Sequence, residues 1–392
     1  MSAPVPVVVI GAGRDGLRQA RLVADCAGLE LAAVIDPADS ARERASDAGF
    51  PTAADLDEAP PGVAGAIIAL PVTTRAAAAE AVAARGLAAL TDRSLAASLR
   101  DARRIRDAFA RSGAPLLVGH HRRHHPAVAA AREAAQGGLL GRLVAADAAW
   151  ILRQPEDQGG FAWRVRSGAG AAMTQLANDV DLLRWLMGDI ASVCALTSRA
   201  TPQSPETDSA GAVLRFRSGA LATALMSSVG LSPWGWEAAT GDGDEVARTG
   251  EDCLRLVGSE GAMSLPSLTY WRHNGAGRGD WSRPLSRLPL PSPALDARAA
   301  QLDHFARVAR GEIAPLVTGE DALLSLAAAL AVEESARTGK VLTPDPDRAD
   351  AWEPTAAAIF RGLSAPALPG PAPAPEADPD ADADAETDPK KD

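Results

Sequence analysis

A doubly wound parallel sheet in the first third of the chain, followed by an α+β region with an open, mostly antiparallel sheet, is the α/β architecture that the sequence predicts. Three observations predict it. Apolar strand-like runs alternate with helical segments up to about residue 120. The first of those runs ends in a glycine-rich turn that opens a helix. After Pro126, strand-like stretches succeed one another without helices between them. Repeated βα units require a parallel sheet, because each parallel pairing needs a crossover connection. Strands in direct succession pair antiparallel instead.

The elements follow in order. Residues 7–10 are a continuous β-branched run, as in a strand buried on both faces. A helix over about 15–27, a strand over 29–35, and an Ala/Arg/Glu-rich helix over 40–48 come next. A third apolar strand spans 63–70, and a helix over 76–85 stops near Gly86. Residues 87–91, a helix across 95–111, and residues 116–119 complete the pattern. The second region has one strong helix at about 170–187 and strands at 193–198, 210–216, 220–228, 253–258 and 262–265, closed by helices at 296–310 and 319–337. The expected division is 1–122, 123–345, a C-terminal extension over 346–363, and a disordered Pro/Ala/Asp-rich tail over 364–392, whose composition buries too little apolar surface to offset chain entropy.

Composition narrows the function. The chain is 47% hydrophobic and 23% charged, the balance of a globular protein. Of the net charge of −11, the last 29 residues contribute −6 through eight acids and two lysines, so the body is mildly acidic. That charge attracts neither a phosphate backbone nor anionic lipid, and the expected partners include no nucleic acid and no membrane. Cys26, Cys194 and Cys253 form no CxxC pair, which argues against a zinc knuckle or disulfide framework and fits a reducing compartment. The N-terminus passes into a strand without a secretory signal, and cytoplasmic localisation is the expectation.

Gly11-Ala12-Gly13-Arg14-Asp15-Gly16 fits GxGxxG, the dinucleotide fingerprint of a Rossmann domain, and it lies directly between a buried strand and a helix. Gly11 makes the tight turn, Gly13 admits a pyrophosphate to backbone amides, and Gly16 brings helix and strand together. The anion sits on the helix N-terminus. Asp36 ends the second strand twenty residues after Gly16, where a carboxylate accepts both ribose hydroxyls of NAD. Pro37 and Ala38 supply no arginine for a 2′-phosphate, so NAD is favoured over NADP.

With these residues in view, the chain resembles the glucose–fructose oxidoreductase, inositol dehydrogenase and rhizopine-catabolism family over about residues 5–345. The resemblance rests on the fingerprint, on Ala69-Leu70-Pro71, on Thr91-Asp92-Arg93-Ser94, on the run from Val118 to Pro126, and on Asn178-Asp179-Val180-Asp181-Leu182-Leu183-Arg184-Trp185. Ser232-Pro233-Trp234-Gly235-Trp236-Glu237 and Gln301-Leu302-Asp303-His304-Phe305 are similar to one branch. It implies a dehydrogenase of a secondary hydroxyl on a sugar, cyclitol or related polyol, with Leu70, Pro71, Asp92 and Arg93 beside the cofactor. It also implies a second domain that walls the substrate and forms a homodimer or homotetramer. Four substitutions depart from the family. Arg93 stands where it has a lysine that orients substrate, Asn178 where it has its catalytic histidine, and Thr174 where a carboxylate often lies one turn earlier. Arg75 likewise replaces a histidine. Arginine keeps the charge but relays no proton near neutrality.

Thr174, Asn178, Asp181 and Trp185, spaced four, three and four apart, share one side of a largely apolar helix, and face either a cleft or neighbouring backbone. His120, His121, His124 and His125, interleaved with Arg122 and Arg123, form either an interdomain hinge or, through His121 or His124, the missing proton carrier. Two arginines and no acidic companion in that run argue against a metal. Arg123, Trp163, Arg164 and Asp181 are the expected substrate contacts. Trp150, Trp234 and Trp236 serve as core or as a sugar platform. Beside the dehydrogenase stand two rival classes, a nucleotide-binding sensor without turnover and a redox-neutral, NAD-using glycoside hydrolase.

Overall fold

A computed structural model describes residues 3–153, 171–199, 201, 207–242, 246–274, 281–291 and 296–348. The first sheet has six parallel strands in the order β3-β2-β1-β4-β5-β6. They are β1 (Val5–Ile10), β2 (Leu29–Ile35), β3 (Thr52–Ala53), β4 (Gly65–Ile68), β5 (Ala88–Asp92) and β6 (Leu116–Gly119). Helices α1 (Arg14–Ala24), α2 (Asp39–Asp47), α3 (Arg75–Ala84) and α4 (Leu99–Ser112) make the crossovers. The order reverses between β1 and β4, the switch point at which open α/β sheets bind ligands beyond their carboxyl ends. Val7, Val8 and Val9 are fully buried, as a central strand covered on both faces requires.

Helix ends carry their signals. Ser98 accepts from the Asp101 amide to start α4, and Gly113 stops it at φ 73° in the left-handed region. A turn of 3-10 helix (His121–His124) follows β6, and Pro126 occupies the first turn of α5 (Pro126–Gln136).

The second sheet has eight strands, ordered β14-β13-β12-β11-β7-β10-β9-β8. They are β7 (Leu143–Ile151), β8 (Ile190–Ser198), β9 (Ser209–Phe216), β10 (Leu221–Ser227), β11 (Leu254–Gly258), β12 (Ala262–Leu265), β13 (Thr269–His273) and β14 (Leu285–Pro289). Only the β10/β7 pair is parallel, so the sheet is mostly antiparallel as the sequence predicts. Its inner face packs against α6 (Ala171–Met187), with Leu176, Val180, Leu183, Leu214, Phe216 and Met226 in one core.

Beyond the added helix α5 and the short strand β3, the structure differs from the sequence reading in two respects. Strand β7, at the centre of the sheet, and the β13/β14 pair were not anticipated; the inner positions of β7 are Ala146, Ala148 and Trp150, and alanine hides a strand's alternation. The last two helices, α8 (Ala297–Ala309) and α9 (Gly319–Thr338), also do more than close the second region. Leu302 and Phe305 of α8 are buried in the core of the parallel sheet. Helix α9 contributes Leu323 and Leu326 to that core and Ala328, Ala331 and Val332 to the other. Among the described residues no helix is long and apolar enough to cross a membrane. Apart from 346–348, the expected extension and tail lie outside the described residues.

Candidate active site

The turn after β1 has the shape a dinucleotide needs. Gly11 has φ +105°, and a Cβ there would meet the Ala69 carbonyl oxygen at 2.7 Å. A Cβ on Gly16 would lie 1.8 Å from the Gly11 carbonyl oxygen, so α1 approaches the turn as closely as glycine alone permits. Gly13 faces open space, with nothing within 4 Å of its missing side chain. Arg14 and Asp15 open α1, Asp15 pairing with Arg18 at 3.1 Å. Asp36 accepts from the Ala12 amide at 2.9 Å and from the Ala38 amide at 3.0 Å, which holds its carboxylate against the glycine turn. The amides at the start of α1, the space at Gly13 and the adjacent carboxylate fit the pyrophosphate and ribose of a nicotinamide dinucleotide. The structure brings up one residue the sequence reading did not weigh. Arg42, one turn into α2, donates to the carbonyls of Asp36 (2.7 Å) and Pro37 (2.9 Å) and pairs with Asp39.

Beyond β4 and β5, the loops at Leu70-Pro71 and Asp92-Arg93-Ser94 are clamped by one buried side chain. Arg75 donates to the carbonyls of Leu70 (2.8 Å), Asp92 (2.9 Å) and Arg93 (3.3 Å), and to that of Ser94. Asp92 accepts from the Arg93 amide at 2.9 Å. Burial opposes its charge, but Arg75 and Arg93 outweigh burial and hold its pKa below the usual carboxylate range. Arg93 itself makes no side-chain hydrogen bond to a described residue. Burial lowers its pKa to about 10, which leaves it a cation at neutrality.

The 3-10 turn after β6 and the helix α7 (Trp236–Thr240) add a buried polar cluster. Arg122 reaches Asp179 at 2.5 Å, Glu237 at 3.1 Å and Gln175 at 3.3 Å, and lies 5.1 Å over the Trp236 ring. Glu237 also accepts from Trp150 Nε1 at 2.7 Å, and Asn178 donates to Gln175 at 2.9 Å. Asp242 sits 2.6 Å from His121 Nε2 and accepts from Trp236 Nε1 and Arg298 Nε, each at 3.1 Å. Glu237, Asp242, Arg298 and Asp179 were not picked out from the sequence. Of these, Asp179 and Glu237 lay in segments that stood out there, but neither was assigned a role.

Several expected site residues have other roles. Arg123 and Asp181 face each other at 2.5 Å and 2.9 Å, with Ser325, Asp321 and His120 completing a buried network between the turn after β6, α6 and α9. Both are saturated by the protein, so they brace the fold rather than present themselves to a ligand. The expected polar stripe therefore divides, Asn178 joining the Arg122 cluster and Asp181 this network. His121 is buried, whereas His124 is only partly so, with its Nε2 enclosed. Burial and the Arg298 cation outweigh Asp242 and push His121 down to about 4, and burial with His304 pushes His124 down to about 3. His124 Nε2 is buried without a hydrogen-bond partner, its ring 5.0 Å from that of His304. Neither imidazole changes charge near neutrality, so neither gives the near-neutral titration expected of a histidine proton carrier. Trp150 and Trp236 are buried donors within the cluster, whereas Trp234 is 46% exposed. Thr174 lies on α6, but its side chain, like Trp163 and Arg164, is outside the described residues. Among the described residues, no group of His, Cys, Asp and Glu is arranged to hold a metal.

A family profile described as an oxidoreductase family with an NAD-binding Rossmann fold matches residues 5–120, and the GFO/IDH/MocA C-terminal domain profile matches residues 128–264. The chain belongs to the GFO/IDH/MocA oxidoreductase family. Its class is that of a nicotinamide-dependent dehydrogenase. This member is 29% identical over 337 residues to the rhizopine catabolism protein MocA of Rhizobium meliloti, covering 83% of this chain and 93% of the relative. It is 25% identical over 363 residues to scyllo-inositol 2-dehydrogenase (NAD(+)) of Bacillus subtilis, covering 89% and 99%. Among solved structures it is similar to an oxidoreductase from Agrobacterium radiobacter in complex with NAD+, L-tartaric acid and magnesium. The TM-score is 0.70 at 20% identity, covering 86% of this chain and 98% of the other.

Proposed function

We propose that this family member transfers a hydride between NAD and a secondary hydroxyl or ketone of a sugar, an inositol-like polyol or a cyclic hydroxy acid. The observation that carries the reading is Arg93, a guanidinium that donates to no described residue, on a loop that Arg75 fixes beside the glycine turn. Bound there, NAD supplies the hydride acceptor or donor at its nicotinamide ring. Arg93 orients the substrate oxygen, and Asn178, already fixed through Gln175, hydrogen-bonds it. Curated relatives named as inositol and anhydrofructose enzymes support the substrate class. Nicotinamide absorbance followed across polyols, aldoses, inositols and cyclic hydroxy acids tests the reading. Reduction of NAD by one of them is expected. Binding of NAD with no absorbance change across the panel would establish a sensor instead, and sugar release without net NADH a redox-neutral hydrolase.

Asp36 favours NAD. Its carboxylate repels a 2′-phosphate, and Arg42 is occupied by backbone carbonyls and Asp39. Titration of both nucleotides is expected to give at least about tenfold tighter binding of NAD, about 1.4 kcal/mol. Asp36→Ala is expected to move the preference toward NADP, because it removes the repulsion and leaves Arg42 as the nearest cation. Tighter NADP binding by the unaltered protein would overturn this preference.

The outer face of the eight-stranded sheet supports a homodimer or homotetramer. Leu196, Val213, Leu221 and Leu225 point away from the core on β8, β9 and β10, with Leu225 and Leu196 both paired to Gly211. An apolar face of this kind is ordinarily covered, and a second copy of the chain covers it symmetrically. Light scattering at micromolar concentration is expected to report a dimer or tetramer that Leu225→Glu dissociates. A monodisperse monomer would contradict the assembly.

A further inference from the structure

Arg93 and Asn178 occupy the positions from which a proton carrier is expected, and neither accepts a proton near neutrality. His121 is held by Asp242 and His120 by Asp181, and burial keeps the pKa of His124 low. Asp179, one residue beyond Asn178 on α6, is differently placed. It is 5% exposed, and Arg122 holds its Oδ1 at 2.5 Å, while Oδ2 accepts from no described residue. Glu237 shares the same guanidinium but has both oxygens engaged, Oε1 by Arg122 at 3.1 Å and Oε2 by Trp150 at 2.7 Å. Two buried carboxylates on one cation do not hold their protons alike; the better-solvated one keeps its charge and the other becomes the acid or base.

We propose that Asp179 is the proton acceptor of this dehydrogenase, its Oδ2, which no described residue engages, taking the hydroxyl proton as the carbinol carbon gives up its hydride. The proposal rests on the oxidoreductase reading above. In the oxidation, the C–H electron pair leaves as hydride to the nicotinamide of NAD, which is reduced. The O–H bond breaks toward Asp179, and a carbonyl forms; Asp179 then releases its proton to water. Reduction of a ketone runs the same steps in reverse, with protonated Asp179 as donor.

The surroundings of Asp179 agree with the role. Arg122 faces it from the turn after β6, Arg93 from the end of β5, Glu237 from α7 and Cys253 from the start of β11, with Gln175 and Asn178 on its own helix. Burial first, and then Glu237, raise its pKa to about 6 against the pull of Arg122 and Arg93. Glu237 is held below the usual range, where Arg122 and the Trp150 hydrogen bond overcome burial. The carboxylate form accepts the proton, so oxidation rises with pH through about 6 and levels above it, while reduction falls over the same interval.

The test follows carboxyl bands in the infrared of the full-length protein as pH is varied, alongside turnover, for the unaltered protein, Asp179→Asn, Asp179→Glu and Glu237→Gln. A band titrating near pH 6 is expected in the unaltered protein and absent from Asp179→Asn. Asp179→Asn is expected to lower kcat by roughly a hundredfold or more and to lose the acidic limb of the pH profile, with NAD affinity retained. Asp179→Glu keeps the limb, and Glu237→Gln moves it to lower pH. A carboxyl titrating near 4, the ordinary value for aspartate, would overturn the assignment without reference to activity. So would an Asp179→Asn protein that turns over with the limb intact, and that outcome leaves the dehydrogenase reading standing. A protein with the band near 6 that reduces no NAD with any panel member overturns both.

Discussion

Arg123→Ala is expected to destabilise the protein by about 3–5 kcal/mol, because it strands a buried carboxylate. The Arg123 side chain is fully buried and that of Asp181 is 3% exposed. Burial disfavours the Asp181 charge, but His120 and Arg123 together hold its pKa well below the ordinary carboxylate range. With Arg123 gone, much of that compensation disappears while the burial stays. The sign of the pH dependence follows. A depressed folded-state pKa contributes stability above the unfolded value of about 4 and loses it as pH falls further. The cost of Arg123→Ala therefore shrinks in acid, where Asp181 takes up a proton. Denaturant unfolding at neutral and acidic pH measures this. The double variant Arg123→Ala/Asp181→Ala is expected to cost less than the sum of the single replacements, since the two side chains belong to one network. An Arg123→Ala protein within about 0.5 kcal/mol of the unaltered one would remove the bracing role, since surface substitutions away from such networks usually fall in that range.

Gly16→Ala and Gly13→Ala are expected to separate folding from cofactor binding. At Gly16 the new methyl meets backbone, 1.8 Å from the Gly11 oxygen, so α1 must move away from the turn. Overpacking of this kind costs about 1–3 kcal/mol, and NAD affinity falls with it. At Gly13 nothing lies within 4 Å, and the same methyl is tolerated by the protein alone. It occupies the path by which a pyrophosphate reaches the amides. Gly13→Ala should therefore retain its melting temperature yet bind NAD at least about tenfold more weakly, about 1.4 kcal/mol. Calorimetric titration beside thermal unfolding distinguishes the two. Undiminished NAD affinity in Gly13→Ala would contradict the placement of the pyrophosphate.

The sequence reveals the parallel sheet and the glycine turn because their signals are local: a β-branched run, three glycines and Asp36 within one βα unit and its successor. Strand β7 escapes such reading because alanine fills its inner face. The polar clusters escape it for another reason. Arg122 meets Glu237 across 115 residues, His121 meets Asp242 across 121, and Arg123 meets Asp181 across 58. No spacing rule reaches that far. Helical spacing did group Asn178 with Asp181, yet the two point into different networks. Asp179, between them, belongs to no apparent stripe. Histidine side chains in sequence suggest titration near neutrality; only their burial reveals that His121 and His124 stay neutral there.

Hydride transfer itself is tested most directly by isotope. The protein is incubated with NADH deuterated at nicotinamide C4 and with ketone and aldose members of the substrate panel, and the products are analysed by mass spectrometry. The expected result is deuterium on the carbinol carbon of one product, in amounts matching the NADH consumed. Intact labelled NADH and unlabelled sugars throughout the panel, from a protein that binds the nucleotide, would contradict it.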